Sequence, residues 1–457
     1  MKMTWEKLLS DTRLGDVELQ NKISSNPFFQ DYYNIISSSF FRRLQDKTQV
    51  YPLDDNDFVR KRLTHSIEVS AIGEAIAHEL AQRIVEERPE EAPENFEENL
   101  ALVLRCAGLL HDLGNPPFGH CGEKYIRDWF EAHAEEYRRD LPDSLWFDFL
   151  NYDGNAHNLR ISVKTATSVG YDDRFGMNLT CAVLNSFVKY PEVDSVTAQA
   201  RKPKSGKIGY YYSEKTFLER ICRQTGTMDA SGRYYKNPVM LLLEMADDIA
   251  YNTADVEDAM KKGLVTTADW KNFFDESEQE QQESILRKLD GDKRFEFVSD
   301  ALHNVRRNMI KNVVDNFMAH YEELMSGALS EDVSLLEADK YNPNVSHYDL
   351  KAIRDMFAKV YKACDTRDAK RFHVVEQFDA ILSSLAPIFT MDEEELSQEQ
   401  KDVYAFFRDK IVAAEAEVPA MLSDEMSEEQ LKYYIRLMAL VDYVSGMTDS
   451  YFINYGR

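Results

Sequence analysis

Apolar residues recur at helical spacing in three long stretches, and each stretch carries polar residues suited to metal or proton chemistry near one end. Arg60-Lys61-Arg62-Leu63-Thr64-His65 opens the first, in which Ile72, Ile76, Leu80 and Ile84 step by four; the pattern predicts a helix with His65 in its first turns. Leu100, Val103, Leu104, Ala107 and Leu110 predict the second, which Gly114 and Pro116-Pro117 can end, so His111 and Asp112 fall at a buried helix end. Asn237-Pro238 precedes the third, from Val239 to Asp255, where acids are embedded in an apolar run. Buried carboxylates need partners. Asp247, Tyr251 and Asp255, spaced i, i+4 and i+8, share one helix face and can offer two carboxylates and a phenol to one pocket.

Breaks in this periodicity divide the chain. Glu86 to Asn95 is acidic and Pro-interrupted, an expected exposed loop between two core helices. Residues 199–237 are rich in Lys, Gly, Tyr and Ser and predict a small hairpin-bearing insertion, a candidate lid or contact surface. Residues 265–457 are again mostly helical by pattern, broken by acidic stretches at 275–283 and 392–402, with no self-contained catalytic string. The expected organisation is an N-terminal helical segment 1–59, a core 60–264 holding the insertion, and a helical C-terminal region 265–457. The fold class is mainly α.

Composition narrows this picture modestly. At 457 residues and 44% hydrophobic, the chain can bury a large core in two or three packed substructures. No segment has the apolar length to cross a bilayer, and the first residues have no apolar signal core, so a cytoplasmic location without membrane contact is expected. Five cysteines, with no close pair, fit reduced thiols. A net charge of −26 repels polyanions, so an anionic substrate requires local positive charge. Arg60-Lys61-Arg62, Lys189 and Arg201 to Lys207 are the visible concentrations. Arg62, one turn before His65, can present a bidentate fork to a phosphate.

The densest chemistry lies in His111-Asp112-Leu113-Gly114-Asn115-Pro116-Pro117-Phe118-Gly119-His120-Cys121-Gly122-Glu123. Imidazole nitrogen beside carboxylate oxygen suits a divalent ion such as Zn, Mn, Fe or Mg that polarises oxygen. His120 and Glu123 are three apart; if Gly119 begins a helix they share a face and can form an oriented proton-transfer pair. Cys121 beside them is expected to be an ordinary thiol.

The order His65, His111-Asp112, Asp247 resembles the metal-ligand set of the HD-domain phosphohydrolases, an all-helical metal-dependent superfamily. Phe41-Arg42-Arg43-Leu44-Gln45-Asp46-Lys47-Thr48-Gln49-Val50, Arg62-Leu63-Thr64-His65-Ser66, Pro116-Pro117-Phe118-Gly119-His120 with Gly122-Glu123, and Gly154-Asn155-Ala156 are similar to strings of the deoxyguanosinetriphosphate triphosphohydrolases (dGTPases). The similarity covers about residues 30 to 260, and Asp442 to Asp449 also looks familial.

That resemblance implies an HD-domain helical core in which His65, His111, Asp112 and Asp247 hold a divalent ion, Mn or Mg first, with Co, Ni or Fe as alternatives. It implies water attack at the α-phosphate of dGTP or another dNTP, with His120 and Glu123 catalytic, releasing deoxynucleoside and tripolyphosphate. Gln49, Tyr251 and Asp255 would contact the deoxyribose, the N-terminal segment thus contributing to the pocket, and Lys189-Tyr190 the phosphates. A tyrosine ring under C2' would leave no room for a ribose hydroxyl. The family forms symmetric tetramers or hexamers, for which 265–457 could supply interfaces, and responds to a second dNTP or single-stranded DNA; Arg201 to Lys207 is a place to look. Asn115 departs from relatives that often have His there: it can hydrogen-bond a phosphate but cannot carry a proton, so it is at most an orienting group. His157 stands where relatives commonly have Gln and is given no catalytic role. The competing readings are an HD phosphohydrolase acting on another nucleotide, and a nucleotide- or nucleic-acid-sensing protein on the same fold.

Overall fold

The computed structural model describes residues 2–15, 23–54, 56–165, 175–200, 207–264, 294–328, 373–415 and 426–456. Arg201 to Gly206, the acidic stretch 275–283 and Cys364 lie outside them. Among the described residues the secondary structure is helical, apart from three isolated antiparallel bridges, Arg13 with Thr180, Thr48 with Lys61 and Met228 with Tyr234. None of these helices is long and apolar enough to cross a membrane.

Eight helices carry the argument: α1 (Pro27–Ser37), α2 (Arg62–Glu87), α3 (Phe96–Leu110), α4 (His120–Ala132), α5 (Pro238–Lys261), α6 (Arg294–Ala319), α7 (Val374–Thr390) and α8 (Glu428–Ser445). The first core forms because α2 and α3 turn their apolar stripes on each other. Ile72, Ile76, Leu80 and Ile84 of α2 and Leu100, Val103, Leu104, Ala107 and Leu110 of α3 are all buried, as their spacing predicts. Helix α5 crosses both, α6 covers α5 and α2, and α1 lies on α3. The Asn237 side chain accepts from Val239 N (2.9 Å) and Pro238 occupies the first turn, which fixes where α5 starts.

Close approach of α2 and α3 depends on Gly108. A Cβ there would lie 2.5 Å from Ser70 Cα and 2.6 Å from Ser70 N, backbone atoms that cannot rotate away. Gly108→Ala is therefore expected to destabilise the fold by about 1–3 kcal/mol, read as a lower denaturant midpoint at constant m-value. A wild-type midpoint would mean that the two helices are not so closely apposed.

A second core joins α4, α7, α8 and the helices Asp143–Leu150 and Gln398–Glu415 around Phe130, Trp146, Phe149, Phe378 and Tyr434. Residues 111–119 carry the chain from the first core, where Leu113 is buried, to the second, which buries Phe118. The functional run therefore lies at the junction of the two.

The insertion at 199–237 is more helical than its composition suggests. Lys215–Gln224 is a helix burying Leu218, Ile221 and Cys222, and the hairpin reduces to one bridge around a turn at Asp229 to Gly232, closed by Tyr235 N donating to Thr227 O (2.8 Å).

Candidate metal centre and proton-transfer pair

Three helices bring the candidate metal ligands together. The first turn of α2 delivers Arg62 and His65, the end of α3 delivers His111 and Asp112, and the middle of α5 delivers Asp247. Ligand atoms of His65, His111 and Asp247 lie within 4.8 Å of one another. Asp247 Oδ1 is 3.0 Å from His65 Nε2 and 3.7 Å from His111 Nε2. His111 Nδ1 is 2.8 Å from Gly108 O, and a carbonyl only accepts, so Nδ1 carries the proton and Nε2 presents its lone pair. That buried Nε2 has no hydrogen-bond partner. An imidazole lone pair orphaned between carboxylates is a donor set that fits a divalent cation.

Asp112 stands at the edge of this cluster. Its Oδ2 is 3.5 Å from His111 Nε2, but it also accepts from Arg62 Nη1, while Oδ1 accepts from Asn115 Nδ2 (2.6 Å). Burial alone would raise the Asp112 carboxyl; Arg62, His111 and His65 hold it well below the usual carboxylate range. Asp247 is held down against burial by His111 and His65. Burial disfavours charged His65, yet Asp247, Asp112 and Asp255 shift that imidazole upward. Asp255, buried on the same α5 face, is pushed up to about 7 by burial, with His65 opposing.

Asn115, expected as an orienting group toward a phosphate, lies beside Asp112. Its amide is turned to Asp112, and its backbone carbonyl accepts from the buried Lys47 ammonium (2.5 Å). It orients a carboxylate beside the metal cluster.

The second half of the site begins where α4 begins. Gly119, with φ 55° and ψ −127°, turns the chain so that His120 enters the first turn, and His120 Nδ1 meets Glu123 Oε2 at 3.0 Å. Glu123 is buried, and its Oε1 accepts from Gly154 N (2.9 Å). Burial would raise the Glu123 carboxyl, but His120, Lys207 and the Gly154 N–H together hold the group low and charged. The His120 ring is largely exposed while its orienting carboxylate is not. Arg62 ties the two halves together: Nη1 donates to Asp112, and Nη2 lies 2.6 Å from where a Cβ on Gly119 would stand. Gly119→Ala, strained in φ and pressed on that guanidinium, is expected to lower kcat about 100-fold by displacing His120 and Arg62. A steady-state assay showing wild-type kcat would refute this coupling.

Lys189 Nζ pairs with Glu244 Oε1 (3.0 Å), one turn before Asp247 on α5; burial opposes its charge but Glu244 raises its pKa overall. Gln49 follows Thr48 in a loop fastened to the start of α2 by the Thr48–Lys61 bridge and by Arg62 N donating to Lys47 O (3.1 Å), and its Oε1 is buried with no hydrogen-bond partner. Tyr251 lies half-buried on the Asp247 face of α5, its hydroxyl pushed up by burial and by neighbouring Asp248.

Residues 62–150 match the HD domain family. A deoxyguanosinetriphosphate triphosphohydrolase-like protein of Listeria innocua is 32% identical over 480 residues, spanning 98% of this chain and 97% of the relative. The chain belongs to the dGTPase family of HD-domain proteins. A deoxyguanosinetriphosphate triphosphohydrolase-like protein of Synechocystis sp. is 31% identical over 371 residues, 78% of this chain and 80% of its own. The deoxyguanosinetriphosphate triphosphohydrolase of an Enterobacter species is 29% identical over 490 residues, 93% and 92% of the two.

Within this dGTPase-family chain, Lys207, which the sequence offers only as the end of a basic concentration, reaches the residues around Glu123. Its Nζ lies 3.7 Å from Asp153 Oδ2, and its charge acts on Glu123, Tyr190 and Lys189. Gly209 makes this possible by packing directly on the Tyr190 carbonyl, which a Cβ would strike at 2.0 Å. A lysine closing a basic loop looks like any solvated charge; only that glycine next to buried Ile208 hinted at a close approach. His157 is fully buried, and burial together with Arg160 holds its imidazole well below its usual pKa.

Proposed function

We propose that the chain is a metal-dependent deoxynucleoside triphosphate triphosphohydrolase that converts dGTP, and other dNTPs to an extent set by the base pocket, to deoxynucleoside and tripolyphosphate. The observation that carries this reading is Arg62, whose Nη1 donates to Asp112 while Nη2 lies 2.6 Å from where a Cβ on Gly119 would stand, so that the ligand cluster and the start of the His120–Glu123 helix flank one cation. The names of the relatives supply the substrate class.

His65, His111, Asp112 and Asp247 would hold the divalent ion, Mn or Mg, which when bound supplies Lewis-acid neutralisation of the phosphate and a water of lowered pKa. In the reaction, the water oxygen joins the α-phosphorus, the bond from phosphorus to the 5'-oxygen breaks, that oxygen takes a proton from His120, and the proton lost by the water restores His120 for the next turnover. Glu123, fixed by Gly154 N, orients the ring. Arg62, Lys189, Tyr190 and Lys207 gather the positive charge and donors that a triphosphate needs in a chain of net charge −26. Gln49 Oε1, buried and unpartnered, suits a donating 3'-hydroxyl; Tyr251 and Asp255 close the sugar side against a 2'-hydroxyl. Asn115, held in place by Asp112, would hydrogen-bond a phosphate as an orienting group. A cytoplasmic homo-oligomer, tetramer or hexamer, with interfaces in 265–457 and responsive to a second dNTP or single-stranded DNA, belongs to the same proposal.

The test is a screen of the eight common nucleoside triphosphates with Mn or Mg, products separated by chromatography. Tripolyphosphate from deoxynucleotides but not ribonucleotides is the expected outcome. Monophosphate release, or equal use of ribonucleotides, would reject the assignment.

A further inference from the structure

Phe118, two residues before His120, has φ 60°, a left-handed backbone that a bulky side chain adopts only when its surroundings over-determine it. What holds it comes from far along the chain. Asp449 Oδ1 accepts from Phe118 N (3.0 Å), and the Phe118 ring packs edge-on against Phe452, 5.9 Å between centroids. Both belong to the short helix Asp449–Asn454. The same carboxylate, through Oδ2, accepts from Thr48 N (2.9 Å) and from the Thr48 hydroxyl, immediately before Gln49. Asp449 is buried.

Neighbouring contacts repeat the pattern. Lys47 Nζ donates to Asn115 O (2.5 Å) and Ser445 O (2.8 Å), Arg43 Nη1 to Gly446 O (3.1 Å), and Tyr152 OH to Ser445 Oγ (2.9 Å) and Gly114 O (3.1 Å). Among the described residues, the segment 445–450 thus sits between the loop carrying Gln49 and the loop leading into His120 at the start of α4, and of that segment only the Asp449 carboxylate bonds to both directly. Each backbone N–H it accepts would otherwise be a buried donor without a partner.

We propose that Asp449 is a positioning residue that couples the sugar-side loop 46–50 to the loop 116–121 that sets His120. The inference rests on the function proposed above for what those loops do, but the coupling itself is a property of the fold.

The experiment compares full-length wild type with Asp449→Asn, which replaces one acceptor oxygen by a donor. Hydrogen–deuterium exchange is followed by mass spectrometry, beside steady-state kinetics on the best deoxynucleotide. Exchange is expected to rise in both loops while α2 and α3 keep their protection and Mn binding is retained; kcat falls about 10-fold to 100-fold and KM rises. Exchange rising in one loop only, or kcat and KM both unchanged, overturns the proposal. Should the Asp449→Asn chain fail to fold, Thr48→Val removes only the hydroxyl arm, and exchange must still rise at 116–121 as well as at 46–50. If wild type hydrolyses no deoxynucleotide, the proposed function fails and the exchange result still decides the coupling.

Discussion

Asp247→Ala is expected to remove metal binding and turnover together. Asp247 is the carboxylate facing both imidazoles, with Oδ1 at 3.0 Å from His65 Nε2 and 3.7 Å from His111 Nε2. Its loss leaves the buried His65 and partly buried His111 imidazoles with Asp112, whose charge is already shared by Arg62 and Asn115. A cation then meets too little negative charge to offset its dehydration. Losing Lewis-acid assistance worth about 4 kcal/mol corresponds to about 1,000-fold in rate. Titration calorimetry with Mn and the product assay read the two effects separately. Full metal affinity in Asp247→Ala would place the metal elsewhere.

His120→Ala is expected to do the opposite to binding and nearly the same to rate. The ring is largely exposed, and its hydrogen bond is to Glu123, so truncation leaves the metal cluster and the helix start intact. Stability should fall by about 1 kcal/mol, because buried Glu123 loses its partner, while kcat drops about 100-fold to 10,000-fold. Metal and nucleotide binding persist. Glu123→Ala should lower kcat too, and its stability cost differs in kind, because it strands the buried Gly154 N–H. Unchanged turnover in His120→Ala would remove it from the chemistry.

The helices that build the site are legible in the sequence where apolar spacing is one-sided and the ends are punctuated. Ile72 to Ile84 and Leu100 to Leu110 show their faces, and Asn237-Pro238 marks the start of α5. The helix Lys215–Gln224 was hidden because its short i, i+3, i+4 stripe of Leu218, Ile221 and Cys222 lies among turn-forming residues. Residue types and order suggest that His65, His111 and Asp247 belong together; only the packing of three helices places their atoms within 4.8 Å. What Lys207 and Asp449 contact was illegible for a different reason. Their partners are set by tertiary contacts across distant sequence, Thr48 and Phe118 for Asp449 and Asp153 for Lys207, and no local periodicity encodes such a contact. Asn115 was legible as a departure, but its bond to Asp112 was not, since an amide can serve a phosphate and a carboxylate equally well and the sequence does not say which is near.

The most direct test of the account is hydrolysis of dGTP in oxygen-18 water with the products analysed by mass spectrometry. Attack at the α-phosphorus predicts tripolyphosphate carrying one heavy oxygen and an unlabelled deoxynucleoside. Deoxynucleoside monophosphate with pyrophosphate, or diphosphate with phosphate, would contradict it.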